Sequence, residues 1–339
     1  MTEKESIKYS EVTTFCLTPI KNESWILDRF LKCASLWADH IIIADQDSAD
    51  SSKDITKRYP KVRLLENPSA IFNEPERQSL LINAARRIPA QGKKLLIALD
   101  ADEMLTANFL HSPEWNSILN ADKGTLIKFQ WVNLRSDLTS CWIPKEDHIL
   151  GFMDDGSDHQ GKTIHSHRVP VPENAPSLIC KDIKVLHYQY TDWQRMQSKH
   201  RWYQCWERLN KPNQKSIKIY RQYHHMYAIR NKDIIPIKKE WIREYYNHKI
   251  DMTTVHQLSS YWWDKEVRIW FETYGVKKFK KENIWASNQL KSKEESKYSD
   301  PRTVIDKIVH QWLKITQRAF VGKLSLFIKL VDKIISLIY

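Results

Sequence analysis

Short apolar runs and helical patterns alternate along the first hundred residues of the chain. The apolar runs have the length of buried β-strands and cover residues 12–17, 40–44, 62–65 and 95–99. Between them, apolar side chains recur at helical spacing, most clearly over residues 25–31 and 79–87. Strands that alternate with helices are typical of βαβ units, whose strands form a mostly parallel sheet. We therefore predict an α/β fold.

Carboxylates follow the second and fourth predicted strands directly. They are Asp45, Asp47 and Asp50 after the second strand, and Asp100, Asp102 and Glu103 after the fourth. Open α/β sheets bind their ligands at the carboxyl ends of their strands. Crowded carboxylates repel one another unless a cation joins them, and their hard oxygen atoms suit Mg²⁺ or Mn²⁺, which in turn hold substrate phosphates. A metal site and a solvated acidic turn both account for this pattern.

Four short motifs occur in order near the predicted strand ends. They are Thr18-Pro19-x-x-Asn22-Glu23, Asp45-x-Asp47-Ser48-x-Asp50-Ser51, Arg77 before a helix, and Asp100-Ala101-Asp102-Glu103. This order resembles the family 2 glycosyltransferases of the GT-A fold, and the resemblance covers about residues 10–190. The likeness is greatest to bacterial enzymes that add sugars to lipopolysaccharide core, capsule or related glycans.

The resemblance implies a role for each motif. The nucleotide-sugar donor is expected to be bound by Thr18, Pro19, Glu23, Asp45, Asp47, Arg77, Asp100 and Ala101. Asp100 and Asp102 are expected to hold a divalent metal, Mn²⁺ or Mg²⁺, on the donor diphosphate. Thr18 and Asp45 could instead cap turns. The implied fold is a GT-A, Rossmann-like, mostly parallel sheet flanked by helices, with a helical and basic C-terminal extension.

A histidine stands in a short apolar strand predicted over residues 185–190. Lipopolysaccharide-type relatives carry a His-Tyr-x-Tyr segment at this place, and the resemblance implies that His187 lies near the metal and the diphosphate. Imidazole also suits Mn²⁺ as a ligand. A hydrogen-bonded histidine of the core is the alternative.

An acidic loop is predicted over residues 152–162. It holds two of the seven glycines of the chain, which indicates a flexible turn. An inverting transfer needs a carboxylate that takes the proton of the acceptor hydroxyl. Asp155 is the first candidate for this base, with Asp154 and Asp158 as the others. A solvent-exposed acidic loop is the alternative.

The composition narrows the class of protein. The 339 residues are 42% hydrophobic, which is enough for a sizeable core. Only seven glycines are present, which excludes a glycine-rich phosphate loop of the Walker type. The five cysteines show no paired spacing, which indicates reduced thiols in a cytoplasmic setting. Residues 1–6 are too polar for a signal peptide.

Most of the net charge of +12 lies after residue 193. Lysines are mixed there with tryptophans and tyrosines, a combination that suits an anionic membrane surface and also suits nucleic acid. We predict three segments: a GT-A domain at residues 1–192, a basic and aromatic-rich helical extension at 193–300, and an amphipathic helix at 301–339.

The last segment favours a membrane over nucleic acid. From Thr303 to Tyr339 apolar residues follow helical spacing, and most of the lysines lie off that stripe. Charges interrupt the stripe too often for a membrane-spanning stretch of about 18 to 20 uncharged residues. A basic amphipathic helix of this length is typical of the membrane interface, and a core or dimer helix is the alternative. We expect a cytoplasmic protein bound peripherally to the inner membrane.

The predicted activity is a metal-dependent, inverting and non-processive transfer of sugar. The donor is a UDP or GDP sugar, and the acceptor is a glycan or a lipid-linked glycan of the bacterial surface. A nucleotidyltransferase is one alternative, although it would normally carry a glycine-rich loop after its first strand, and residues 18–23 contain no glycine. A basic nucleic-acid-binding protein is another, but the acids at the strand ends would repel phosphate unless a metal intervened. We therefore expect no nucleic-acid partner.

Overall fold

The computed structural model describes residues 12–67, 73–162, 165–258, 260–285, 298–320 and 324–339. The polar segment at residues 1–6 lies outside this part of the chain. The chain divides into two compact units: the first comprises Met1–Thr191 and Pro236–Gln257, and the second comprises Asp192–Ile235 and Leu258–Tyr339. The predicted boundary near residue 300 therefore does not separate the units, and the chain returns to the first unit after its first departure.

The helices and strands alternate through the first unit, and helices dominate the second. The strands are β1 Val12–Ile20, β2 His40–Asp45, β3 Val62–Glu66, β4 Lys93–Ala98, β5 Glu103–Leu105, β6 Leu126–Phe129, β7 Trp131–Leu134, β8 Ser140–Trp142, β9 His148–Met153, β10 Ser177–Ile179, β11 Val185–His187 and β12 Ile234–Pro236. The α-helices are α1 Leu27–Ala34, α2 Ser52–Thr56, α3 Glu74–Arg87, α4 Pro113–Asn120, α5 Trp193–Asn210, α6 Ser216–Tyr223, α7 Arg243–Asn247, α8 Trp262–Tyr274, α9 Val304–Thr316 and α10 Ser325–Ile338.

The larger sheet has seven strands in the order β10-β6-β9-β4-β1-β2-β3. Neighbouring strands are parallel except at β9, which is antiparallel to both β4 and β6. Helix α3 packs on the sheet, and Leu81 and Ile82 join Phe15 and Leu96 in one buried cluster. Burial on both faces explains why the apolar runs of the central strands are nearly continuous. The predicted α/β fold, with a mostly parallel sheet flanked by helices, is confirmed.

A smaller sheet carries two of the strands that matter for the site. Its order is β12-β8-β7-β11-β5. Strand β11 is antiparallel to β5 and parallel to β7, so that His187 pairs with Glu103 on one side and with Asn133 on the other. The residues directly after the central strand β4 therefore continue into this second sheet.

The second unit is helical and is held together by buried ion pairs. Arg201 on α5 lies 2.7 Å from Asp264 on α8. Arg221 on α6 lies 2.9 Å from Asp332 on α10, and it also donates to Gln317 at 2.8 Å. An arginine stays charged when it is buried, so a facing carboxylate is needed to offset the cost of burial, and these pairs fix which helix faces meet.

The C-terminal segment forms two helices and not one. Helix α9 begins with a capping box, in which the Thr303 hydroxyl accepts the amide of Asp306 at 3.2 Å and the Asp306 carboxylate accepts the amide of Thr303. Both α9 and α10 pack on α6, with Val309 and Leu313 buried against Ile217. Two helices allow an apolar face of each to reach α6, which one straight helix would not. None of the described helices is both long enough and apolar enough to cross a membrane.

Candidate functional site

The carboxyl ends of β1, β2 and β4 lie at one edge of the larger sheet. Ile20 on β1 pairs with Asp45 on β2, and Leu17 on β1 pairs with Ala98 on β4. The acidic segments that begin at Asp45 and at Asp100 are therefore on the same edge, on either side of the end of β1. This is where open α/β sheets bind their ligands.

The end of β1 differs from the prediction. The strand continues to Ile20, so Thr18 and Pro19 lie within it and not in the following loop. The Thr18 side chain is completely buried, and its hydroxyl lies 3.6 Å from the Cys16 sulfur. Additional pairing with β2 keeps the Thr18 side chain inside the sheet, and the contact of Thr18 with a nucleotide stays a prediction.

The loops that follow β1 and β2 are joined by hydrogen bonds. The Ser48 hydroxyl accepts the amide of Asn22 at 2.9 Å, and the Asn22 side chain accepts the amide of Ala49 at 2.7 Å. The Glu23 carboxylate accepts a hydrogen bond from the indole N–H of Trp25 at 2.6 Å. Glu23, which was predicted to bind the nucleotide sugar, therefore also stabilises its own loop. The shared bonds fix the two loops as one rim of the site.

Asp45 is buried beneath that rim and is only partly hydrogen-bonded. Its Oδ2 accepts the amide of Ser48 at 3.1 Å and lies 3.3 Å from the Lys53 ammonium. Its Oδ1 is buried and has no hydrogen-bond partner among the described residues. A buried carboxylate oxygen of this kind needs a partner, which a bound ligand can provide. Asp47 is exposed and lies 3.7 Å from the same ammonium of Lys53.

Lys53 was not identified from the sequence. It lies in the first turn of α2, and its hydrogen bond to Asp45 raises the pKa of its ammonium. It follows Asp45 by eight residues, and no motif or periodic spacing in the sequence connects the two. The ammonium of Lys53 adds positive charge at this edge of the sheet, where it would favour an anionic ligand.

A three-membered ion cluster stands at the end of β4. Arg168 Nη2 lies 2.8 Å from Asp100 Oδ2, and the same guanidinium contacts both carboxylate oxygens of Glu103. Glu103 is completely buried, and its carboxylate also accepts the amide of Asp100 at 3.0 Å. Burial raises the pKa of Glu103, whereas the charge of Arg168 lowers it. Glu103 therefore orients Arg168 and the turn at Asp100 and has no access to solvent.

The three predicted diphosphate residues after β4 differ in exposure. The Asp100 side chain is 42% exposed, whereas Asp102 and Ala101 are buried. Asp102 also lies close enough for its charge to raise the pKa of Glu103. Asp100 is thus the carboxylate that a ligand meets first.

The start of α3 lies beside this cluster, and Arg77, which was predicted to precede a helix, is inside its first turns. The charges of Arg77, Asp100 and Arg168 all act on the carboxyl of Glu74, whose pKa is raised mainly by burial. Glu74 accepts the amide of Ser166 at 2.7 Å, which ties the segment before Arg168 to the first turn of the helix. Arg77 is therefore close to the ion cluster.

His187 has a different environment from the one predicted. Its Nδ1 lies 2.9 Å from Asn133 Oδ1, and its ring packs against Trp131 and Tyr190 with centroids 5.0 Å and 6.0 Å away. Because an amide oxygen can only accept, Nδ1 is assigned the proton. No group of three or more His, Cys, Asp or Glu side chains in the described ranges is arranged to hold a metal. The predicted three-ligand set of Asp100, Asp102 and His187 is therefore not assembled.

A metal held by fewer protein ligands does fit the site. Mg²⁺ is usually bound through one or two carboxylates together with substrate phosphates and water. Asp100 offers an exposed carboxylate, and Arg168 contacts it only through Oδ2. Asp100 and Asp102, two residues apart along the chain, would hold such an ion, which would supply positive charge to an anionic ligand.

The predicted catalytic loop is at the wrong end of the sheet. Strand β9 is antiparallel to β4, and the amide of Asp154 donates to the carbonyl of Lys94 at 2.8 Å, at the amino end of β4. With a rise of about 3.3 Å per residue, Asp154 and Asp155 are roughly 15 to 20 Å from Asp100. Asp154 pairs with Arg86 at 2.7 Å, and Asp155 accepts the amide of Ser157 at 2.8 Å.

Contacts of its two neighbours with α3 define the position of Asp158. The carbonyl of Ser157 accepts a hydrogen bond from Arg86 at the end of α3, and the ring of His159 lies 2.8 Å from Gln78, nearer the start of that helix. The direction of β9 carries Asp154 and Asp155 away from Asp100, which argues against either of them as the base. The assignment of the base to Asp158 stays a prediction.

His148 is the first residue of β9. Because β9 is antiparallel to β4, with Ile97 paired with Gly151, His148 lies towards the carboxyl end of β4. The ring of His148 stacks on Trp131 with centroids 3.6 Å apart, and its Nε2 is buried with no hydrogen-bond partner in the described part of the chain. Burial first, and then the positive charge of Arg168, lower the pKa of His148 to about 4. Its imidazole is therefore neutral at neutral pH.

No family model matches the chain, and no curated protein matches it by sequence. Solved structures with a local likeness include a mycobacterial protein, glucosyl-3-phosphoglycerate synthase from Mycobacterium tuberculosis in complex with phosphoglyceric acid, and HddC from Yersinia pseudotuberculosis. Their identities are 16%, 13% and 12%, and their TM-scores are 0.27, 0.24 and 0.29. The matches cover 36%, 38% and 52% of this chain and 41%, 47% and 93% of the others. The chain thus spans less than half the length of the first two.

Proposed function

We propose that the protein is a glycosyltransferase that moves a sugar from a nucleotide-diphosphate sugar to a glycan or lipid-linked acceptor. One observation carries the proposal. The acidic ends of β2 and β4 flank the end of β1 on one edge of the sheet, with a buried, incompletely bonded carboxylate on one side and an arginine-bridged acidic cluster on the other.

The side at β2 suits a nucleoside. Asp45 Oδ1 is buried and without a partner among the described residues, so a ribose hydroxyl or a base N–H would complete its hydrogen bonding. The rim formed by the loops after β1 and β2 is held by its own bonds and is ready before a ligand arrives. A preorganised pocket loses less entropy on binding.

The side at β4 suits the diphosphate. Arg168 offers a planar guanidinium, and Arg77 lies near it at the start of α3. A divalent ion at Asp100 and Asp102 would supply the further positive charge that a departing nucleoside diphosphate requires. Arg77 stands on α3, whereas Asp100 and Asp102 lie in the turn after β4, which Arg168 and Glu103 hold in place through their ion pair and hydrogen bonds.

We assign the general base to His148. A neutral imidazole with a nitrogen lacking a hydrogen-bond partner among the described residues can accept the proton of an acceptor hydroxyl as the sugar is transferred. The low pKa keeps the ring in its accepting form, and the negative charge of a bound diphosphate would raise that pKa towards neutrality.

The decisive experiment is a panel of UDP and GDP sugars screened by thermal shift, with and without Mn²⁺, followed by product analysis. Ligands that bind only the folded state raise its melting temperature by mass action. Release of nucleoside diphosphate with an acceptor supports the glycosyltransferase. Release of pyrophosphate from a nucleoside triphosphate would support a nucleotidyltransferase instead. A melting temperature that no nucleotide or nucleotide sugar changes would refute both activities.

We also propose that the second unit binds an anionic membrane surface. Eleven large apolar side chains on and around α9 and α10 are each more than half exposed: Val304, Ile305, Ile308, Ile315, Leu324, Leu326, Phe327, Leu330, Ile334, Leu337 and Ile338. Exposed lysines such as Lys329 and Lys333 lie among them. Apolar area combined with lysines is the chemistry of interfacial helices. A peripheral position at the cytoplasmic face of the inner membrane would bring the enzyme to a lipid-linked acceptor.

A further inference from the structure

The residues that line one large cavity all belong to the second unit, and none of them is a residue proposed to bind the donor. Its volume is about 830 Å³, in the range of small-molecule sites. It is lined by the start of α5, the end of α6, the turn after α6, and one side of α9. A ligand of this cavity can therefore be tested independently of the donor site at the sheet edge of the first unit.

One face of α9 makes the cavity strongly cationic. Lys307, Gln311 and Lys314 are spaced at i, i+4 and i+7, and Arg318 continues the same face beyond the helix end. The three cationic side chains are exposed and, within the described ranges, form no salt bridge with a carboxylate. Arg302 adds a fourth cation, and it is already paired with Asp300 at 2.8 Å. No carboxylate lines the cavity among the described residues.

The opposite wall is aromatic. Trp193 and Tyr227 meet edge to face with ring centroids 5.4 Å apart, and His224 stacks on Tyr220 at 3.8 Å. Burial lowers the pKa of His224 to about 4, so this ring contributes hydrogen bonding and not charge. The amide of Gln197 donates to the Tyr227 hydroxyl at 2.9 Å, which holds the rim of this wall in place.

The two walls together select a ligand with two kinds of surface. Cations recognise a phosphate or a carboxylate. Flat aromatic rings with amides beside them suit the C–H faces and hydroxyls of a sugar, since Trp and Tyr provide a rigid apolar surface with a polar tip. An inorganic anion would use only the first wall, and a neutral sugar only the second.

We propose that this cavity binds a saccharide that carries a phosphate or a carboxylate, and that this saccharide is part of the acceptor. The acceptor role rests on the proposed glycosyltransferase activity, whereas the binding itself does not. A phosphate or carboxylate on the sugar makes the same contacts with Lys307, Lys314 and Arg318. The exposed mouth formed by these three side chains allows a longer glycan to continue outwards.

Calorimetric titration of the full chain tests the binding. The probes are glucose 6-phosphate, glucose 1-phosphate, glucuronate, glucose and inorganic phosphate. We expect at least one of the three anionic sugars to bind, and we expect glucose and inorganic phosphate each to bind about tenfold more weakly or not at all, because each lacks one of the two groups. The strongest anionic sugar then shows whether the natural group is a phosphate or a carboxylate.

Paired variants separate the two walls. Lys314→Gln with Arg318→Gln is expected to weaken binding of the anionic sugar about tenfold or more, whereas Lys265→Gln, at an exposed lysine of α8 outside the cavity, should leave that binding unchanged. Trp193→Leu is expected to weaken binding of the anionic sugar and to leave binding of inorganic phosphate unaffected. A melting curve for each variant checks that the helices remain folded.

Three results would overturn the inference. They are unaltered sugar binding in the Lys314 and Arg318 double variant, equal binding of inorganic phosphate and sugar phosphate, and no binding of any anionic sugar. Nucleotide titration of the same samples keeps the donor question separate. Binding of the anionic sugar without binding of a nucleotide sugar would reject the proposed glycosyltransferase and support the saccharide site. Binding of a nucleotide sugar without binding of any anionic sugar would support the glycosyltransferase and reject the saccharide site.

Discussion

Arg168 Nη2 lies 2.8 Å from Asp100 Oδ2, although 68 residues separate the two along the chain. The same guanidinium holds Glu103, so one cation organises the turn that follows β4. Asp100 is thereby fixed at the sheet edge with its carboxylate partly exposed. This arrangement sets the geometry on which the first two predictions depend.

The first prediction concerns the metal. Asp102→Asn is expected to abolish transfer and to weaken metal-dependent donor binding, because Mg²⁺ or Mn²⁺ depends on anionic ligands. Donor titration with and without Mn²⁺, together with turnover, measures both effects. Asp182→Asn, an exposed acid of the same unit, is the control and should behave as wild type. Wild-type turnover of the Asp102 variant at low metal concentration would reject the site.

The second prediction concerns Arg168 and stability. Arg168→Gln leaves Glu103 buried without its cation, which we expect to cost about 3 kcal/mol at alkaline pH. Burial already raises the pKa of Glu103 above its unfolded value, and loss of Arg168 raises it further. The protonated form is favoured in the fold, so stability is present at low pH and is lost as the pH rises through the folded pKa.

Denaturant melts of this variant at pH 5, 7 and 9 measure the effect. The destabilisation relative to wild type should grow with pH, and Glu103→Gln added to Arg168→Gln should remove the pH dependence. A penalty that is the same at all three pH values would show that Arg168 acts through packing and not through the charge of Glu103.

The third prediction concerns the base. His148→Gln is expected to lower turnover about 10²-fold with donor affinity unchanged, as loss of a general base does. Asp155→Asn is the matched comparison and should leave turnover nearly normal, since Asp155 stands at the other end of β4. Because burial lowers the pKa of His148 to about 4, kcat/KM should fall only in acid, below the range of an ordinary histidine. Normal turnover of His148→Gln together with a large loss in Asp155→Asn would reject His148 and identify Asp155 as the base.

The fourth prediction concerns the apolar face of α10. Leu326→Gln together with Leu330→Gln and Leu337→Gln is expected to release the protein from phosphatidylglycerol vesicles in a flotation assay. These side chains are 58% to 80% exposed, so the fold and donor binding should be unaffected. Binding of the wild type should weaken with salt without vanishing, because apolar burial is not screened. Unchanged flotation of the variant would exclude this face as the membrane contact.

Local sequence determined four of the seven strands of the larger sheet, β1 to β4, and the position of the acids that follow two of them. The short apolar runs near residues 41–43 and 95–97 favour buried strands, and their alternation with helices indicates a mostly parallel sheet. In such a sheet the acids after β2 and β4 must share an edge, so Asp45 and Asp100 were predictable as a pair. Periodicity and connectivity are local properties, and the sequence therefore contains them.

The tertiary structure decided which side chains meet at that edge. Strand β9 runs antiparallel to β4, and this direction moves Asp155 away from Asp100 and brings His148 towards it. Arg168 joins the cluster only because the chain folds back along α3, where Glu74 holds the amide of Ser166. The direction of a strand and contacts between distant residues depend on how the whole core is packed. The spacing of residues along the chain does not contain that information.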